Sequence, residues 1–364
     1  MSEKIRIGFI GTGGIAHAHM NPYMSFKDVE IVGACDIVPG KAREFLDRYG
    51  LTSAPAFENC KDLLANVEMD GVSICTYNTT HAECAIAALE AGVHVLCEKP
   101  MAFTLQEAAD MVIASKKANK FLTIGFQPRF DFWRLKVDSM IQAGAIGKVY
   151  YIQSGGGRRR GIPGGTFVDK DKAGYGCLGD IGCYSIDEML HAVNYPKPLT
   201  VSAIASDYFG KNPKYWSDAD TFDVDDFSVA LVRMEGDVNY VFKQSWAMHA
   251  DTLGDNLWLG TEGAIKVKQT VDGIHPPSRV MYYTDVNGNQ IDSFVLASHS
   301  FNAYAGAHYD DIWIGKMRTF VDALKTNGPA PVPGEEIIYN QAIIDGIYRS
   351  SKTGKEVEII MPKF

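Results

Sequence analysis

Nothing in this chain approaches the ~18 uninterrupted apolar residues that would cross a bilayer. No targeting leader is expected either, since Met1-Ser2-Glu3-Lys4 runs straight into the strand-like Ile5-Arg6-Ile7. Positive charge is scarce. Lys and Arg number 35 against 44 Asp and Glu, a net −9, which argues against nucleic acid or an anionic membrane surface as a partner. The seven cysteines contain no C-x-x-C pair, and three lie in or at the end of strand-like runs, where a thiol packs as a small hydrophobe. A reduced, cytoplasmic protein is the expectation. H-E-x-x-H, Cys/His ligand spacing and G-x-S-x-G are all missing, so metal or serine-nucleophile chemistry has no support. No internal repeat and no low-complexity segment interrupts the 364 residues, a length that suits two domains.

What the chain does have is alternation. Apolar runs at 5–10, 31–35, 71–76, 93–97 and 121–125 read as buried strands, with helical patterns following most of them, notably at 82–91 and 105–118. That order implies a parallel sheet, and right-handed crossovers put the loops after its strands on one edge. The first loop is Gly11-Thr12-Gly13-Gly14-Ile15-Ala16, a G-x-G-x-x-A match. Gly11 permits the tight turn, Gly13 lets a pyrophosphate approach the backbone, and Ala16 lets the helix pack close to the sheet. The helix N-terminus adds N–H groups and a positive dipole end. Gly11, Thr12, Gly13, Gly14 and Ile15 are therefore assigned to a dinucleotide. Asp36 closes the next strand at roughly the ~20-residue spacing of an acidic ribose ligand. Its carboxylate suits two ribose hydroxyls and repels a 2′-phosphate, and Ile37 to Gly40 offer no Arg, Ser or Thr to hold one. NAD is favoured over NADP; the other use of Asp36 is to cap the following turn.

Glu98-Lys99-Pro100 follows the strand at 93–97 and precedes Thr104, an N-cap for the helix at 105–118. With Asn78-Thr79-Thr80-His81, this loop should meet Gly11–Gly14 and Asp36 in one crevice, where doubly wound sheets bind dinucleotides. These residues carry a resemblance. The glycine loop with His19 behind it, Asn78-x-x-His81 and above all Glu98-Lys99-Pro100 resemble the Gfo/Idh/MocA oxidoreductases, over essentially the whole chain. The resemblance implies that Lys99 lies beside the nicotinamide and the reacting hydroxyl, and adds Asn78, His81, Glu98 and Gln127 to the cofactor-binding set. One departure is Tyr77, where the family commonly has proline.

After residue 125 the character changes. A helix at 131–143 and a strand at 147–154 lead into an irregular stretch, 155–179, in which nine of 25 residues are glycine. A loop this long is functional or disordered, and the dense motif after it favours function. Its Arg158-Arg159-Arg160 run suits an anionic or polyhydroxyl substrate, with Arg158 the assigned contact; reaching the cofactor or a neighbouring subunit are alternatives. Then comes Gly179-Asp180-Ile181-Gly182-Cys183-Tyr184, opening a helix to about residue 194. Asp180 and Tyr184, four apart, share a helix face. They are either an acid/base pair or an N-terminal charge with a core tyrosine. The resemblance favours the first, since the family has D-x-x-x-H there, Asp holding substrate and His carrying the proton. Tyr184 stands at the His position, as in the branch resembling glucose–fructose oxidoreductase and dimeric dihydrodiol dehydrogenase. The resemblance also brings His308 near the substrate; capping or surface use is the alternative. Trp216 and Trp246 either stack on sugar faces or pack in a core or interface.

Seven strand-like runs between 199 and 296, several alternating polar and apolar, suggest an antiparallel sheet with one covered face, and helices at 312–326 and 333–352 close the chain. The expected fold is α/β for residues 1–127, a Rossmann doubly wound parallel sheet, plus an α+β substrate-binding and oligomerisation domain over 128–364, whose closing helices can pack back on the first. The expected activity is NAD-dependent oxidation or reduction at a secondary alcohol carbon of a sugar, glycoside or cyclitol, with Lys99, Tyr184 and Asp180 catalytic. Alternatives are a redox-neutral cycle through a 3-keto-glycoside on tightly held NAD, a trans-dihydrodiol dehydrogenase, and a non-catalytic dinucleotide sensor. The expected partners are a small polyol, sugar or glycoside and further copies of the chain through the C-terminal sheet, a dimer, tetramer or higher homo-oligomer.

Overall fold

The structure, a computed structural model, describes residues 4–268, 280–295 and 312–364. In chain order its elements begin with β1 (Ile5–Ile10), α1 (Gly14–Ser25), β2 (Val29–Cys35), α2 (Lys41–Arg48), β3 (Ala56–Phe57), α3 (Cys60–Asn66), β4 (Gly71–Ile74), α4 (His81–Glu90), β5 (His94–Cys97), α5 (Leu105–Ala118) and β6 (Leu122–Ile124). They continue with α6 (Phe132–Gln142), β7 (Val149–Gln153), α7 (Lys170–Ala173), α8 (Cys183–Ala192), β8 (Pro198–Ser206), β9 (Phe227–Met234), β10 (Asn239–Ser245), β11 (Asn256–Gly260) and β12 (Gly263–Val267). The last are β13 (Val280–Val286), β14 (Asn289–Val295), α9 (Ile312–Thr326), α10 (Gly334–Thr353) and β15 (Val357–Glu358). The chain forms two compact units. One takes the described residues of Met1–Gln127, Tyr309–Ile338 and Pro362–Phe364; the other takes those of Pro128–His308 and Tyr339–Met361.

The first unit is built on strands buried on both faces. All four residues of β4 are buried, as are the last four of β1 and the last three of β5. Such strands gain most when helices cover both faces, and the sheet is parallel throughout, in the order β3-β2-β1-β4-β5-β6. The order reverses between β1 and β4, so the loops after β1, β2, β4 and β5 share the carboxyl edge at the switch point. Thr104 caps α5 through a capping box: its Oγ1 accepts from the Glu107 N–H at 3.1 Å, and its own N–H donates to Glu107 Oε2 at 2.8 Å. The closing helix α9 returns to this unit, and Met317, Phe320 and Val321 join Phe9, Met20 and Tyr23 in one core.

The second unit carries a nine-stranded sheet in the order β14-β13-β12-β11-β7-β10-β9-β8-β15. Its pairs are antiparallel except β7 with β10. Alternation sets its faces: along β10, Tyr240, Phe242 and Gln244 are buried. Three features differ from expectation. The irregular stretch contains a short helix, α7, capped by the Asp169 side chain. β14 starts at Asn289 rather than 293, because Asn287 and Gly288 take φ of 53° and 75° and close a two-residue hairpin. Most consequential, the helix expected from residue 179 opens as a wide π turn, Leu178–Gly182, before α8 proper begins at Cys183. The Asp225 carboxylate anchors that entry by accepting from the N–H groups of Gly176 and Leu178 at 2.9 Å each.

Candidate active site

In the first unit the glycine loop has the shape its sequence requires. Gly11 has φ of +85°, and a Cβ there would lie 2.7 Å from the Cys75 carbonyl group. A Cβ on Gly13 or Gly14 would meet nothing within 4 Å. No side chain caps α1, whose first amide groups therefore offer donors and a positive end to an anion. Ile15 packs against the core beneath. Asp36 Oδ2 accepts from the N–H and hydroxyl of Thr12 at 2.9 and 2.8 Å, and Oδ1 accepts from the Val38 N–H at 3.0 Å. Burial opposes its ionisation, but the bonds from Val38 and Thr12 outweigh it and hold the carboxyl below its usual range. Asp36 thus caps its turn and still keeps a lone pair on Oδ1, since a carboxylate has about four acceptor sites. Open space over Gly13, an uncapped helix end and a charged acid at the end of β2 fit a dinucleotide with an unmodified ribose, NAD.

The Glu-Lys-Pro turn splits its two charges. Glu98 is buried, while Lys99 is half-buried at the carboxyl edge, before a cis bond to Pro100. Glu98 Oε1 accepts from His19 Nε2 at 2.7 Å and from the Lys316 ammonium, which lies 4.2 Å from the Trp313 ring centre. His19 and Lys316 are also buried. Burial disfavours the Glu98 charge, yet Lys316 and His19 hold the carboxyl well below its usual range. A Cβ on Gly125 would come within 2.7 Å of Glu98 Oε1, so any larger residue at the start of the next loop would displace the Glu98 carboxylate. His81 was assigned to the cofactor. Its ring is fully buried, and Nδ1 bonds the Pro100 carbonyl at 2.8 Å, so it ties the Asn78–Thr80 turn to the Glu-Lys-Pro turn. Glu98, likewise assigned to the cofactor, sits in a buried ion cluster with His19 and Lys316. Gln127 opens the turn Gln127–Phe130 just past β6.

This cluster sets a pH dependence. Burial pushes His19 down to about 4, and the Lys316 charge acts the same way against the opposing pull of Glu98. The folded chain keeps His19 neutral, whereas the unfolded chain protonates it below about 6.5. Its contribution is complete above that pH and is lost as pH falls toward 4. Burial lowers His94 to about 4 and also lowers His81, with the same sign. Urea titrations should lose roughly 3 kcal/mol of stability at the His19 site between pH 6.5 and 4. A His19→Gln variant should show a shallower slope; an unchanged slope would contradict the buried neutral ring.

In the second unit Asp180 and Tyr184 are both half-buried. Asp180 lies in the π turn, where Oδ2 accepts from Trp246 Nε1 at 3.1 Å. Trp246 itself is fully buried and packs in the core, which decides its reading. The helix bearing Tyr184 is locked from behind. Asp187, fully buried, takes Arg129 Nη2 at 2.8 Å, Arg134 Nη2 at 3.0 Å and the Tyr195 hydroxyl at 2.7 Å. Burial opposes its charge, and the two guanidinium groups overcome that. Arg158 donates to the Gly161 carbonyl at 3.5 Å. His308 lies outside the described residues. Sequence reasoning missed Lys316, Asp225 and the Arg129–Asp187–Arg134 cluster. One signal was present: Lys316 interrupts the apolar stripe of α9, between Trp313 and Phe320 at helical spacing.

An oxidoreductase family with an NAD-binding Rossmann fold matches residues 5–126, and the GFO/IDH/MocA C-terminal domain matches residues 135–266. The chain is 26% identical to the D-glucoside 3-dehydrogenase of Escherichia coli, over 98% of both chains. It is 24% identical to the myo-inositol 2-dehydrogenase of Thermotoga maritima, over 91% of this chain and 92% of that one. Among solved structures, an oxidoreductase domain protein of Kribbella flavida superposes with a TM-score of 0.83 at 23% identity, covering 98% of this chain and all of that one. Levoglucosan dehydrogenase in complex with NADH gives 0.82 at 23% identity, over 99% and 100%. With the parallel sheet, the glycine loop and the acid after β2 all in place, this chain belongs to the Gfo/Idh/MocA family of NAD-dependent oxidoreductases.

Proposed function

We propose that this chain oxidises a secondary alcohol of a sugar or glycoside, with cyclitols as the next class. The observation that carries the reading is the Asp180–Tyr184 pair: a carboxylate oriented by an indole N–H and a phenol on a helix fixed by buried charge. The glucoside and inositol enzymes among its relatives support the substrate class. Bound NAD, held by Gly11 to Ile15, Asp36, Asn78 and Gln127, supplies the acceptor for the hydrogen and electron pair that leave carbon. The chain's own residues handle the proton and the charge. Asp180 accepts hydrogen bonds from sugar hydroxyls and fixes the ring. Tyr184 takes the proton from the reacting hydroxyl and passes it to solvent. A phenol's ordinary pKa of ~10 is too high for that at neutral pH, and a cation beside it lowers the value. Lys99 is assigned as that cation, donating to the same oxygen and stabilising its developing charge. Arg158 is assigned to outer hydroxyls.

Among the described residues no helix is long and apolar enough to cross a membrane. The cysteines are all free thiols, which suits a reducing compartment such as the cytoplasm. Apolar side chains exposed on the large sheet, among them Tyr150, Ile204, Leu231 and Phe294, support self-association through it. The test is NAD reduction across a panel of aldoses, inositols, glycosides and trans-dihydrodiols. Glycosides and sugars should give the highest kcat/KM. A panel in which only dihydrodiols react, or nothing does, would overturn the reading.

A further inference from the structure

Trp216, left open by the sequence, lines a cavity of about 260 Å³ within the second unit, with Arg160, Gly161, Ile162, Phe209, Tyr215 and Ala247. Its indole packs on the cluster that contains Trp246, while its Nε1–H is buried with no partner among the described residues. A buried indole N–H usually has an acceptor, so an unmade bond here marks a place for one. Phe209 and Tyr215 add two more aromatic rings to the lining, with ring centres 4.8 Å apart. The Arg160 guanidinium lies 4.8 and 5.0 Å from the same two centres and is pinned by a 2.7 Å bond to the Met248 carbonyl. Ala247 directly follows Trp246, whose own N–H holds Asp180. The cavity lining is thus one residue along the chain from the indole that bonds Asp180, and Ile181, next to Asp180, packs on the same cluster as Ile162 and Trp216.

Size limits the occupant. A cavity of ~150 Å³ takes benzene, and pockets for whole drug-sized molecules begin near ~300 Å³. One ring fits; a whole disaccharide does not. We infer that this cavity is an aglycone subsite: it takes a single six-membered ring, joined to the oxidised sugar through its glycosidic oxygen and bearing one acceptor for the Trp216 N–H. This rests on the reading of the chain as a sugar or glycoside oxidoreductase and adds that ring-bearing glycosides are preferred over free sugars. An aryl group and a second pyranose present the same flat face, and the test separates them.

The NAD-loaded full chain is titrated by calorimetry with methyl, phenyl and glucosyl glucosides, and kcat/KM is measured for each. Phenyl or glucosyl glucoside should bind about tenfold or more tightly than methyl glucoside, with the difference in KM rather than kcat. A higher affinity for phenyl assigns the site to aryl aglycones, and one for glucosyl to a second sugar. Trp216→Ala should erase the preference, and Tyr215→Ala should reduce it and serves if the first variant does not fold. Equal affinity for all three glucosides, no glucoside binding, or a preference that survives both substitutions overturns the subsite. Preference in binding without turnover would instead overturn the reaction and leave the subsite standing.

Discussion

Lys99→Ala is expected to lower kcat by about 10²–10⁴-fold while the Kd for NAD changes only a few-fold. That range is what positioned proton-transfer and oxyanion-stabilising groups contribute. The turn has ties besides the Lys99 side chain. Glu98, not Lys99, makes the buried bonds to His19 and Lys316, and His81 holds the turn through the Pro100 carbonyl. The NAD Kd, measured beside kcat, reports whether that turn keeps its shape when the Lys99 amine is removed. Tyr184→Phe should give a loss of the same order, since it removes one hydroxyl and keeps the ring on its locked helix. Steady-state kinetics with a reactive glycoside, beside calorimetric NAD binding, checks both. Turnover within a few-fold of the unaltered chain in either variant would remove that residue from the chemistry.

Lys316→Met should destabilise the first unit by roughly 3–5 kcal/mol, although residue 316 was no part of the expected site. The reason is the partner left behind. Glu98 would remain buried beside a neutral His19 with no cation to balance it, and breaking one side of a buried ion pair costs about that much. Burial lowers the pKa of Lys316 itself, against the pull of Glu98, so neither charge is comfortable alone. Replacing both, Lys316→Met with Glu98→Gln, should recover part of the loss, which separates an unpaired charge from poor packing of Met. Urea unfolding followed by tryptophan fluorescence reads the difference; a loss below about 1 kcal/mol would contradict the buried triad.

Much of this was legible in the chain because local chemistry and tertiary structure agreed. Thr104 with Glu107 marks the start of α5, and the pattern over 312–326 coincides with α9. Two-residue β3 is too short to show a period. The Asn287-Gly288 hairpin signal was present, and reading it would have started β14 at Asn289. The π turn leaves no compositional mark beyond Gly179 and Gly182 around Asp180, since one residue widening a turn changes no pattern. Glu98 and His81 were legible as important, while the bonds by which they hold their turns were not. A conspicuous polar residue near a cofactor loop can face the ligand or hold the loop, and local sequence does not separate the two. Asp36 caps its turn by accepting from the Val38 N–H and keeps acceptor capacity for a ribose, so the two uses that the sequence offered as alternatives are compatible.

The central claim is that this chain removes two hydrogens from a sugar alcohol and delivers electrons to NAD once per turnover. The direct measurement counts NADH formed per glycoside consumed, by absorbance and by chromatography of the same sample. The account predicts a one-to-one ratio, with both quantities falling together in Lys99→Ala. Glycoside consumed while no NADH accumulates would contradict it.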